Sequence, residues 1–125
     1  VVNAPPRVKP KPPPRPIVAP TIDADTERAA IAGISQYREV VDASVGQRGS
    51  KVVLVIIVRY GTTHQRARML CDNFVRMVKT ISQDENPTRE IGRGLYDYLV
   101  SAHTPDGKEI ADGAKASSAR SLFWF

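Results

Sequence analysis

The sequence has little from which to build a disulfide, a metal cage or a membrane span. Cys71 is its only cysteine, so neither an intrachain disulfide nor a Cys-based zinc site can form within the chain. Its two histidines, His64 and His103, fall on different expected elements, and no His-x-x-x-His spacing occurs. Metal binding therefore lacks a ligand set, and general-base chemistry lacks an adjacent partner. The apolar run Val52 to Val58 is seven residues long, far below the roughly 20 needed to cross a bilayer as a helix. Positive charge is also scarce where it would count. Of the net +5, the acid-free stretch 1–20 contributes +4 through Arg7, Lys9, Lys11 and Arg15, leaving fourteen basic against thirteen acidic residues elsewhere. The pI of 9.7 thus describes the leader and is no evidence for a basic nucleic-acid-binding body.

What the chain does have is 125 residues with 42% hydrophobic content, enough for one domain with a real core. Residues 1–20 hold eight of the ten prolines, which deny helix and sheet their N–H donors and predict a polyproline II spacer. Within it, Arg7, Pro10, Pro13 and Arg15 fit the pattern by which such helices dock aromatic grooves beside an acidic pocket, although a basic run this rich in proline matches it by chance and a plain spacer is the default. We divide the chain into a proline-rich basic linker, residues 1–22, and an α+β domain, residues 23–125. Val1 instead of Met opens the sequence, and the reading as a tethered arm expects a signal or membrane anchor upstream.

Asp23 or Asp25 can cap a first helix, and Ile31, Ile34, Tyr37, Val41 and Val45 recur at helical steps, predicting helix from about Asp25 to Ala43. Gly33 inside it costs up to about 1 kcal/mol relative to Ala unless something packs closely there, and Gly46 and Gly49 bracket the loop that follows. Val52–Val58 is nearly all β-branched and apolar on both faces, so it should be a central strand with both sides covered. Two helices cover one side. The other requires a second sheet, another chain or the C-terminal segment. Thr62 or Thr63 caps the next helix, whose stripe of Ala67, Leu70, Cys71, Phe74, Met77, Val78 and Ile81 marks the core, with Arg68, Asp72, Arg76 and Lys79 on the solvated side. Cys71 is read there as a small buried hydrophobe in preference to a reactive thiol.

Residues 83–94 form a polar loop containing Asp84-Glu85, Asn86-Pro87 and the tight turn Gly92-Arg93-Gly94, which lacks the lysine and serine of a phosphate loop. Two strands follow, Leu95–His103 and Lys108–Ala116, joined by the turn Thr104-Pro105-Asp106-Gly107. Tyr96, Tyr98, Val100 and Ala102 share a face of the first, and Gly113 in the second implies a bulge or close packing. Leu122, Phe123, Trp124 and Phe125 should not all stay exposed and are expected either to dock as a strand or to meet a partner.

A basic proline-rich stretch ahead of a compact α+β domain with a Thr-Pro-Asp-Gly hairpin resembles the energy-transducing TonB-type periplasmic proteins over residues 5–16 and 104–107. The chain departs from that pattern in lacking the family's Tyr-Pro motif and in placing its long helix before the hairpin. The resemblance implies only a stiff arm that carries a docking module across an envelope.

The expected fold is α+β in the order α-β-α-β-β(-β), a three- or four-stranded sheet with two helices on one face. The expected function is a non-catalytic protein-protein interaction or assembly domain, membrane-tethered or envelope-associated and extracytoplasmic, with no cofactor, metal or enzymatic activity. Its partner-binding residues are Leu122, Phe123, Trp124, Phe125, Tyr96 and Tyr98, and its partner is a protein or a second copy. The alternative is a small module for single-stranded nucleic acid that stacks bases on Tyr96 and Tyr98.

Overall fold

The computed structural model describes residues 19–83 and 91–125. Its elements run α1 (Ala24–Ile34), β1 (Val40–Arg48), β2 (Lys51–Val58), α2 (His64–Gln83), β3 (Asp97–His103), β4 (Glu109–Lys115) and β5 (Phe123–Trp124). The class is α+β, as expected. The sheet has five strands, however, in the spatial order β1-β2-β3-β4-β5, and the chain order is α-β-β-α-β-β-β. All neighbours are antiparallel except β2 and β3, which run parallel with α2 between them in sequence.

The additional strand is β1, cut from what the periodicity assigned to the first helix. Asp23 caps α1 by accepting from the Thr26 N–H at 2.7 Å, and the helix closes where the Ser35 N–H donates to Ile31 O. Tight turns then bring the Gln36 and Tyr37 N–H groups onto Gly33 O and Ile34 O. Val41, four residues from Val45, sits at a bulge between Val40 and Asp42 and is exposed. The irregularity puts Val40, Ala43 and Val45 on the core side at uneven spacing, so the strand's period of two is disguised as a helical step. Gly46 accordingly lies inside β1, opposite Val53, and the hairpin turns on Gly49-Ser50.

Both helices cover one face of the sheet. On that face Val52, Leu54, Ile56 and Val58 of β2 are fully buried, joined by Tyr98, Val100 and Ala102 of β3. Thr63 caps α2 through its hydroxyl, which accepts from the Arg66 N–H at 3.1 Å. Ala67, Leu70, Cys71, Phe74, Val75 and Val78 then supply its buried stripe. Two assignments shift: Ile81 is 42% exposed, whereas Lys79, placed in solvent by the helical wheel, is 2% exposed. Gly33 does have its close neighbour, the Met77 sulfur, 3.0 Å from where a Cβ would stand.

Ala19 and Ile22, assigned above to the linker, are buried in the core. Pro20 O accepts from the Tyr96 hydroxyl at 2.6 Å and from the Gln47 amide at 3.1 Å, and the Ile22 N–H donates to Gln47 Oε1 at 2.7 Å. The packed unit therefore includes these residues. Arg7, Pro10, Pro13 and Arg15, and with them the proposed arm, lie outside the described residues, as do Asp84, Glu85, Asn86 and Pro87.

Lys115 shares the core face with Tyr98, opposite it in the ladder, and is 1% exposed. Its ammonium donates to Ala116 O at 3.0 Å and stands 6.0 Å from the Tyr98 ring centre. Burial pushes its pKa below the ordinary 10.5, the nearby Lys79 pushes the same way, and Asp97 opposes both. A lysine depressed in the folded state binds its proton less readily than in the unfolded chain. The resulting penalty is complete at neutral pH and is relieved as pH rises through the folded value toward 10.5. Lys115→Met is expected to raise stability at pH 7 by about 1 kcal/mol, roughly 4–8 °C in Tm. That gain should shrink in thermal melts taken at successively more alkaline pH, and a gain independent of pH would refute the assignment.

Candidate functional site

Alternation puts the remaining strand residues on the opposite face, and the registers order them in rows. Gly46, Val53, Leu99, Ala114 and Phe123 form one row across all five strands. Ser44, Val55, Ser101 and Asp112 form the next, extended by Phe125, whose N–H donates to Asp112 O at 2.9 Å. Asp42, Ile57, His103 and Glu109 close one end, and Arg48, Lys51 and Asp97 the other. None of the described helices covers this face. Val53 is 38% exposed, and Val55, Ile57 and Leu99 are half-buried by their sheet neighbours alone. Among the described residues neither a second sheet nor the C-terminal segment covers the second apolar side of β2, so of the three covers expected above another chain is the one left.

The C-terminal segment supplies part of that face and splits by parity. Trp124 pairs with Gly113 and turns toward the core, where the Arg68 guanidinium lies 5.5 Å from its ring centre. Leu122 is half-buried against the same cluster. Phe123 and Phe125 point the other way, 67% and 69% exposed, with their rings edge to face at 5.5 Å between centres. The two expectations for this segment are thus divided between its residues, two docked and two presented.

Tyr96 and Tyr98 are inside. Each is 1% exposed, their rings meet edge to face at 6.1 Å, and burial raises the Tyr96 phenol above its usual range. Neither can stack a base or touch a partner from there, which removes the aromatic platform on which the nucleic-acid alternative stood.

The groups with chemical potential are dispersed. Burial pushes the Cys71 thiol up to about 12, with Asp112 and Asp72 adding to the effect, which suits an inert core residue. His103 lies on the open face with Nε2 2.9 Å from the Ser101 hydroxyl. His64 lines a groove of about 210 Å³ with Arg68, Glu109, Asp112 and Phe125. Its Nδ1 lies 2.7 Å from Ile110 O, and none of the side chains lining that groove carries a hydroxyl or a thiol. Asp97 accepts from the Ser117 N–H at 2.7 Å. Among the described residues, no group of three or more His, Cys, Asp or Glu is placed to hold a metal ion, and no helix is long and apolar enough to cross a membrane.

Sequence reasoning missed Val53, Val55, Ile57 and Leu99 as surface residues. The available signal was the surplus itself, a seven-residue apolar strand with cover for one side only. Comparison with protein-family models, with curated proteins and with solved structures returns no match to this chain, so the reading of its function rests on this open face.

Proposed function

We propose that the chain is a non-catalytic interaction and assembly domain that engages protein through the open face of its sheet. The observation that carries this reading is the apolar row Val53–Leu99–Ala114–Phe123, with Phe125 beside it, left uncovered among the described residues. Contiguous apolar surface of this kind marks contact sites, and docked Leu122 and Trp124 hold the two phenylalanines outward. In this reading the proline-rich stretch ahead of Ala19 is the arm that carries the domain, in a membrane-tethered or envelope-associated protein.

The test is photocrosslinking in the native cell, with a photoreactive amino acid at Val55 on the open face or at exposed Gln65 on α2. A discrete protein adduct is expected from Val55 and not from Gln65. Phe123→Ser/Phe125→Ser should reduce that adduct at least about tenfold, since burying one Phe contributes roughly 1.5–3 kcal/mol. Equal adducts from both faces, or none from Val55, would overturn the proposal.

A further inference from the structure

The structure points to the occupant: we infer that the open face pairs with a second copy of this chain, sheet on sheet with strands antiparallel, about a two-fold axis lying in the interface and crossing the strands between the Val53 and Val55 rows. The inference rests on the reading of that face as a protein interface and adds its partner and geometry.

Three observations converge on it. The first is size. Five strands about 4.8 Å apart and four rows about 6.7 Å apart give a face of roughly 500 Å², so a pair of copies buries roughly 1,000 Å², which reaches the threshold for a specific interface. The second is charge. The rim is polarised along the strands, with exposed Arg48 and Lys51 at the β1–β2 turn and exposed Asp42 and Glu109 at the far end. A rotation that reverses the strand direction lays each end over its opposite. Arg48 then faces Asp42 of the other copy, and Asp97 faces His103.

The third is shape. The same axis exchanges the two central rows while each strand stays over its own counterpart. Val53 then faces Val55, and Phe123 faces Phe125, so the two phenylalanines exposed on this face of each copy meet the other pair. The one charged side chain in the two central rows is Asp112 of β4, near the sheet edge, where it lines the groove with Arg68. Small residues, Ser44, Gly46 and Ser101, flank the valines and leave room for sheets to approach to about 10 Å. An axis parallel to the strands would instead place Arg48 and Lys51 over the basic end of the partner.

Analytical ultracentrifugation of the purified chain tests this. A reversible dimer of micromolar affinity is expected, and Val55→Glu should weaken it at least a hundredfold by bringing two carboxylates close to the axis. The orientation is tested by charge exchange at exposed positions that leave the fold intact. Arg48→Asp and Asp42→Arg should each weaken the dimer about tenfold, and the double variant should restore it. Circular dichroism confirms folding of each variant. A chain that stays monomeric to about 1 mM, a dimer indifferent to Val55→Glu, or a double variant no better than the singles would overturn the inference. A monomer whose Val55 photoadduct is a different protein refutes self-pairing and leaves the interface reading standing. A monomer with no Val55 adduct refutes both.

Discussion

Lys79→Ala is expected to lower stability by about 3 kcal/mol, roughly 15 °C in Tm. The ammonium is carried into the interior at 2% exposure and donates to Ile91 O and Arg93 O, each at 2.7 Å. Between those carbonyls Gly92 takes φ 79°, a left-handed conformation that aims both oxygens at the same point, and a Cβ there would stand 3.4 Å from the lysine nitrogen. The turn is tied onward, Gly92 N–H to Arg120 O and Gly94 N–H to Ser117 O. One side chain of α2 thus holds the chain's return to the sheet and, through it, the segment leading into β5. Removing it leaves two inward carbonyls without that donor, at about 1–3 kcal/mol each, offset in part by the end of the ammonium's own desolvation. Lys79→Met separates donor from volume. If the hydrogen bonds dominate, urea denaturation will place it close to the alanine variant. A methionine variant as stable as the parent would show that only packing was lost.

Gly113→Val should cost about 2–3 kcal/mol and release β5. Even a single Cβ at Gly113 would stand 2.8 Å from the Trp124 ring and 3.2 Å from Phe123 O, closer than packed atoms tolerate. Because Trp124 is the only tryptophan, its emission reports the event directly, and a red shift is expected to accompany the loss of stability. The same displacement turns Phe123 and Phe125 out of register, so the variant should also lose the Val55 adduct described above. Unchanged emission together with an unchanged denaturation midpoint would refute the packing argument.

The parts of the fold that were legible in sequence are those where one local rule governs. β2 is β-branched throughout, α2 carries an uninterrupted stripe from Ala67 to Val78, and the Thr104–Gly107 turn has Pro and Gly where its geometry needs them. Where two rules overlapped, the wrong one prevailed. The bulge after Val40 made a strand look helical, and Lys79 sits on the polar side of its wheel because its partners are carbonyls remote in sequence. The candidate face was half legible. The surplus of apolar residues in Val52–Val58 announced a missing cover, and the terminal aromatics stood out by size and position. Which of them face outward depends on the register of β5 with β4, and no residue of Leu122–Phe125 encodes that register alone.

The single parallel pair in the sheet has a consequence for how the molecule assembles. β1 with β2, and β3 with β4, are hairpins that can close locally and early. The seam from Lys51–Asp97 to Ile57–His103 has to wait until the whole of α2 and the stretch beyond it have been drawn in. Closing that long loop costs entropy before any rung of the seam compensates for it. The seam in the middle of the sheet is therefore the contact expected to limit folding, and until it forms both faces of β2 stay within reach of other chains.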